Sequence, residues 1–382
     1  MTEFGYVEPI VWNKRTGYVV GGHQRLKILE DMGETEIECV VVDLDPKDEK
    51  GLNVALNKIS GDWDYGLLTE LFDELSDLDY DLTLTGFDES EINALLSPVS
   101  ADDDEFNPDV VIENIEEPVT EKGDVWFIGK HKLMCGDSTT EDVSLLMGDE
   151  GAKFVFTDPP WNVNYGATDH PSWKQRTIMN DYMSSEEFAD FLDKAFFQMA
   201  KNTVPGAMVY VVMSAQEWGN IMPMMAKNEF HWSSTIIWNK DRMVLSRKDY
   251  HTKYEPLWYG WREGEGRLVP LADRKQTDVW DIMRPHVSEL HPTMKPMELV
   301  ARAIQNSSCK GDLILDQFGG SGTTLIAAEQ TNRVCNMLEL DPKYCDVIVN
   351  RYINFVGQKD ADIYIYKNGK KTHWKETGVY VG

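Results

Sequence analysis

Leu313-Ile314-Leu315-Asp316-Gln317-Phe318-Gly319-Gly320-Ser321-Gly322 is the stretch that decides the fold. Three aliphatic residues make a short strand, the glycines make a turn, and Thr323 to Thr331 continues at helical spacing. A second strand, Val334 to Leu338, ends in Glu339. Strand, glycine turn, helix and strand form a βαβ unit, so the expected fold class is α/β with a Rossmann-like parallel sheet. A glycine turn at the carboxyl end of a strand lets a ligand approach the backbone. An acid ending the next strand is placed to accept from ribose hydroxyls. The spacing is not the G-x-G-x-x-G of pyrophosphate binders, which points away from NAD. A plain helix–strand connection with glycines for tight packing is the alternative.

Upstream lies Thr157-Asp158-Pro159-Pro160-Trp161, directly after the apolar strand Phe154-Val155-Phe156. Two prolines remove two N–H donors and hold the chain extended. What remains is a carboxylate, a backbone carbonyl and an aromatic face on one rigid turn. Such a set suits a planar group bearing an NH2, such as a nucleobase; a strand terminator with a surface tryptophan is the competing reading. Between the two motifs, Ser184 and Glu187 form a capping box ahead of the helix Phe188 to Lys201. Met208 to Met213 reads as a buried strand, Glu217 to Lys227 as a Met-rich helix, and Ser234–Trp238 and Glu255–Tyr259 as strands. Pro296 to Asn306 and Pro342 to Val356 read as helices, and Val125 to Cys135 as a hairpin turning at Gly129-Lys130. Residues 240–290 look irregular.

The whole chain is 382 residues with a formal net charge of −28. Its length predicts more than one domain. The charge is unevenly spread: residues 1–150 hold 10 basic and 37 acidic side chains, the rest 27 and 28. Only the nearly neutral back can approach phosphates cheaply. No stretch is apolar and long enough for a membrane span, and Met1 to Pro9 has no secretory pattern. Five scattered cysteines without a C-x-x-C pair fit a reduced, cytoplasm-like compartment. No set of His, Cys and carboxylates has metal-ligand spacing, so no metal is expected. At the front, extended segments over 7–20, a helix from His23 to Met32, a strand from Ile37 to Leu44 and a helix after Asp45-Pro46 make a small α+β domain. The run Asp102-Asp103-Asp104-Glu105 with its neighbouring prolines reads as an acidic linker over 101–121.

Taken together, the Asp158 and Gly319 motifs resemble the catalytic and cofactor motifs of amino-directed DNA methyltransferases, in the permuted order of the β class. Three stretches add to the likeness: Cys135-Gly136-Asp137-Ser138, Tyr254-Glu255-Pro256-Leu257-Trp258-Tyr259-Gly260 and His291-Pro292-Thr293-Met294-Lys295-Pro296. The resemblance runs from about 123 to 357. It implies an S-adenosylmethionine-dependent enzyme methylating the exocyclic N6 amine of a flipped adenine. Cytosine N4 is the runner-up target, and a non-enzymatic binding protein with a decayed methylase half is the reading from another class. The resemblance assigns catalysis to Asp158, Pro159, Pro160 and Trp161. It assigns cofactor binding to Asp137, Thr293, Lys295, Asp316, Phe318, Gly319, Gly320, Gly322 and Glu339, with Lys295 and Thr293 on the methionine carboxylate.

The front resembles the ParB/sulfiredoxin-like domain fused to such methylases in phage and prophage proteins. Val19-Val20-Gly21-Gly22-His23-Gln24-Arg25-Leu26 and Ala55 to Asp64 carry that likeness. Gln24 stands where many relatives have an arginine, which argues against nucleotide binding. The implied organisation is a ParB-like domain over 1–100, the linker over 101–121 and a methyltransferase domain over 122–382. Its DNA-facing insertion would be 240–290, where Arg242, Arg247, Lys248 and Lys253 alternate with Trp258, Trp261 and Trp280. Double-stranded DNA is the implied partner, with a homodimer left open.

Overall fold

The computed structural model describes residues 9–58, 68, 71–72, 74–76, 78, 80–87, 92, 103–104, 106–162, 182–244, 249–271, 276–284, 294–359 and 361–381. The chain divides into two compact units, one up to Pro98 and a larger one from Val99 onward.

In the first unit, strands β1 (Ile10–Asn13), β2 (Val19–Gly21) and β3 (Cys39–Val42) form a sheet in the order β2-β1-β3. Helix α1 (His23–Asp31) starts from Gly22, whose φ of 91° is a left-handed conformation that glycine adopts without penalty. Helix α2 (Pro46–Asn57) is capped by the Asp45 carboxylate, which accepts from the Lys47 and Asp48 amides. Buried Asn13 clamps the sheet by bonding both the carbonyl and the amide of Leu44.

The larger unit is built on an 11-stranded sheet. Its strands are β4 (Val125–Ile128), β5 (His131–Cys135), β6 (Ala152–Thr157), β7 (Thr203–Val212), β8 (Phe230–Val244), β9 (Thr252–Arg262), β10 (Val279–Asp281), β11 (Leu313–Asp316), β12 (Val334–Glu339), β13 (Ile363–Lys367) and β14 (Lys370–His373). Their order is β10-β8-β9-β7-β6-β11-β12-β5-β4-β13-β14, with β7, β6, β11, β12 and β5 parallel in the middle. The central strands are apolar along their length because both faces are covered. Successive residues take opposite faces. Phe154, Phe156, Met208 and Tyr210 pack with helices α7 (Met297–Ser307), α8 (Thr323–Gln330) and α9 (Pro342–Val356). Val155, Val209 and Val211 pack with α4 (Asp142–Met147), α5 (Ser185–Lys201) and α6 (Trp218–Lys227). No helix among the described residues is long and apolar enough to cross a membrane.

This wiring positions the site. From β6 the chain leaves through α5, on one face; from its neighbour β11 it leaves through α8, on the other. Adjacent strands whose connections part in this way open a crevice beyond their carboxyl ends. Asp158 follows β6 and Asp316 ends β11, so both sequence motifs reach the same crevice.

Three expectations need correction. Residues expected as a linker pack against the larger unit: α3 (Pro108–Asn114) lies on α9 with Phe106, Val111 and Ile115 buried beside Val347. Asp104 makes a two-pronged pair with buried Arg351, at 2.6 and 2.9 Å, and Asp346 accepts from the Val119 and Thr120 amides. The negative run therefore includes a buried partner, which a solvated linker would not. Residues 240–244 and 252–262 are not irregular; they belong to the long paired strands β8 and β9, whose outer half is polar and escapes an apolar pattern. Trp258 and Trp280 are 1% and 2% exposed, so they serve the core and not a DNA-facing surface. The strands β13 and β14, which extend the sheet beyond β4, had no expectation at all.

Candidate active site

Thr157 ends β6 with its side chain buried, and its hydroxyl donates to Asp316 Oδ1 at 2.9 Å. This bond ties the ends of the two central strands together. Asp316 also accepts from the Phe318 amide at 3.1 Å, which closes the first bend of the glycine turn. Burial pushes its carboxyl up to about 7, against hydrogen bonds from Thr324, Phe318 and Thr157. Asp316 is thus the support under the turn. Gln317 braces the same bend, its side-chain amide reaching the carbonyls of Ala195 and Ser138.

The turn presses on β12. A Cβ at Gly319 would stand 2.8 Å from Met337 Sδ and 3.1 Å from the Leu338 carbonyl, so only glycine fits. Gly320 differs: it is exposed, has a φ of 52°, and a Cβ there would meet nothing within 4 Å. Its amide donates to Glu339 Oε2 at 2.7 Å, while Oε1 accepts from Asp341 at 2.9 Å. Burial raises the Glu339 carboxyl to about 7. Gly322 caps α8 with a φ of 84° over Ile348. Phe318 is half-buried, 5.9 Å from the Phe191 ring. At the end of β5, Asp137 is turned inward on its own loop, accepting from the Thr139 amide and hydroxyl.

At the other side of the crevice stands Asp158. Its Oδ1 accepts from Trp161 Nε1 at 3.0 Å and its Oδ2 faces Lys295 Nζ at 2.6 Å. Burial raises the carboxyl, and the Lys295 charge works against that rise. Lys295 also lies 4.8 Å over the Trp161 ring and 3.6 Å from Glu255 Oε2. Pro159 is buried; Pro160 and Trp161 are partly open.

The structure thus brings Asp158, Pro159, Pro160 and Trp161 to one wall and Asp316, Phe318, Gly319, Gly320, Gly322 and Glu339 to the other. Lys295, expected on the methionine carboxylate of a cofactor, bonds the Asp158 carboxylate at 2.6 Å. Arg242 and Lys253 are exposed on the β8–β9 hairpin. Arg247, Lys248 and Thr293 lie outside the described residues. Glu255 and Lys240 had no part in the expected site. The signal that marks Glu255 is a lone carboxylate in an apolar strand, Glu255-Pro256-Leu257-Trp258-Tyr259.

Residues 152–350 match the family model described as DNA methylase. Residues 66–122 match the ParB-methyltransferase HTH domain, which runs through the segment expected as a linker. The type II methyltransferase M2.DpnII of Streptococcus pneumoniae is 25% identical over 244 residues, 59% of this chain and 91% of that protein. The DNA adenine methyltransferase YhdJ of Escherichia coli is 25% identical over 236 residues, covering 53% and 76%. The type II methyltransferase M.Cfr9I of Citrobacter freundii is 30% identical over 138 residues, covering 33% and 46%, so the match spans about half of that protein. Among solved structures, the M1.HpyAVI–SAM complex overlays with a TM-score of 0.44 at 16% identity, covering 58% of this chain and 98% of that one.

Proposed function

The chain belongs to the DNA methylase family, and from that premise we propose that it transfers a methyl group from S-adenosylmethionine to the N6 amine of adenine in DNA. The observation that carries the reading is the Thr157–Asp316 bond, which joins an acceptor wall to a glycine turn across one crevice. M2.DpnII and YhdJ, similar over most of their own length, support the choice of reaction, and YhdJ the choice of base.

The turn suits the cofactor. Gly320 leaves open space at an exposed amide, and the anchored Glu339 carboxylate keeps lone pairs for ribose hydroxyls. Phe318 offers an aromatic edge beside them. When bound, S-adenosylmethionine supplies an electrophilic methyl on a sulfonium sulfur. The residues of the chain do the rest by position and charge. The lone pair of an aromatic amine is delocalised into its ring. Asp158 and the Pro159 carbonyl, accepting its two hydrogens, favour a pyramidal nitrogen whose lone pair is free to react. The base has to leave the duplex to reach them. Trp161, half-buried, gives it a stacking plate worth roughly 1–3 kcal/mol.

Arg242 and Lys253 on the protruding hairpin contact phosphates. The acidic front stays off the duplex, since DNA carries one charge per about 1.7 Å, and acts as a partner or specificity module. Five scattered cysteines, three of them buried, fit action in a reducing, cytoplasm-like compartment. The test is tritiated-methyl transfer to genomic DNA from a methylation-deficient host, followed by base analysis. N6-methyladenine is expected. N4-methylcytosine alone would move the target base, and no transfer would overturn the reading.

A further inference from the structure

Glu255 sits on β9 between exposed Tyr254 and the buried run Pro256 to Gly260, and is itself 6% exposed. A carboxylate taken out of water needs compensating charge. Oε1 takes the ammonium of buried Lys240 from the facing strand β8. Oε2 makes no hydrogen bond among the described residues and lies 3.6 Å from Lys295 Nζ. Lys295 itself is 8% exposed and bonded to Asp158. Four side chains therefore alternate in sign along one line, Asp158, Lys295, Glu255 and Lys240. The lysine in the middle is bonded to one carboxylate and within about an ångström of bonding the other.

On the methyltransferase reading this resting arrangement is unproductive. Each Asp158 oxygen accepts one bond, from Trp161 or from Lys295, and keeps a lone pair, but the second donor is a cation. The amine nitrogen gains positive charge as it is alkylated, and an ammonium on its acceptor repels that charge. Glu255 offers the ammonium a second place without returning it to water. We infer that Glu255 is a positioning residue that draws Lys295 off Asp158 when the target base arrives, so that Lys295 guards the acceptor at rest and releases it for reaction. Lys240 neutralises Glu255 from behind and limits how strongly it holds Lys295 in the resting state.

The inference rests on the proposed reaction but fails separately from it. Glu255→Gln removes the second place and leaves a positive excess in the line. Glu255→Gln with Lys240→Gln removes the same place and keeps the line neutral. Each is compared with the parent in thermal melting, titration with S-adenosylhomocysteine, and single-turnover methyl transfer to unmethylated genomic DNA. Both variants should bind S-adenosylhomocysteine as the parent does. Their single-turnover rate should fall roughly ten- to hundredfold with KM for both substrates unchanged. Glu255→Asp, which keeps the charge, should recover part of the rate. If the neutral double variant reacts as fast as the parent, Glu255 only balances charge and the inference is wrong. If it binds S-adenosylhomocysteine more weakly, Lys295 serves the cofactor instead. Should the single variant not fold, the double variant decides. A parent that transfers no methyl refutes the reaction and leaves the titration to decide whether Glu255 acts on the cofactor side.

Discussion

At the end of β6 a carboxylate is held by a cation; at the ends of β11 and β12 carboxylates are held mainly by N–H and hydroxyl donors. Asp158 has Lys295 on it, a partner 137 positions away in the sequence. Asp316 and Glu339 accept from Phe318, Gly320 and Asp341, close at hand on their own or a neighbouring turn, with Thr157 as the one distant donor. A lysine can move from one partner to another, whereas a backbone amide stays where its turn puts it. The difference separates an acceptor that is switched from a cradle that is fixed.

The heaviest blow to this contrast is Asp158→Asn. It should lower methyl transfer by at least about 10²–10³-fold, while S-adenosylhomocysteine binding stays at the parent's level in calorimetry. Parallel loss of both would mean that the two walls are one site with one job. Next come the glycines. Gly319→Ala should cost about 1–3 kcal/mol of stability, because its Cβ meets β12 and not open space. Gly320→Val should keep the fold, at about 1–2 kcal/mol for its left-handed backbone, yet lose the cofactor. Thermal melts beside binding isotherms separate the two, and equal behaviour of both variants would erase the distinction drawn at the turn.

What could be read in the sequence follows the same division. Asp316 to Gly322 and Glu339 were legible because strand, turn and acid lie within one βαβ unit, whose geometry is local. Asp158 to Trp161 was legible for its two prolines. Lys295 was placed at the site, but its bond to Asp158 was not foreseen, and Glu255 and Lys240 had no role. Their meaning comes from β8, β9 and the segment before α7 meeting in space, and spacing along the chain carries no trace of that. Trp258 and Trp280 were misread for the same reason: a tryptophan among arginines looks exposed until the strand pairing turns it inward. Strand β14 was missed because Lys370–His373 is polar and resembles loop, whereas β13, Ile363–Lys367, alternates isoleucine and tyrosine with both isoleucines buried and carries a strand signal that went unread.

A smaller effect concerns pH. Burial puts Asp316 and Glu339 near 7, above the ordinary carboxylate range. The folded chain then holds protons that the unfolded chain has released. Stability should therefore fall as pH rises from about 4 through about 7 and level off above that. Ribose hydroxyls donate best to an ionised Glu339, so S-adenosylhomocysteine should bind more tightly as pH rises through the same window and displace a proton. Calorimetry near pH 6.5 in two buffers of different ionisation heat reads that proton; identical heats would remove Glu339 from the ribose. The smallest effect expected is at the hairpin. Arg242→Ala should weaken duplex binding alike for all sequences and lower the salt slope by about 1. An unchanged slope would take that side chain off the phosphates.

Arg351 has a consequence for anyone transplanting this enzyme. Its guanidinium pairs with Asp104 on one side and reaches the Ser321 carbonyl and the Thr323 hydroxyl, both at 3.0 Å, on the other. A portable catalytic cassette cut where the sheet begins, at Gly123, would leave that cation buried with its counter-charge removed, at about 3–5 kcal/mol. The strain would fall on Ser321, inside the glycine turn. The graft junction therefore belongs upstream of Asp103, and the acidic segment travels with the enzyme as part of its chassis.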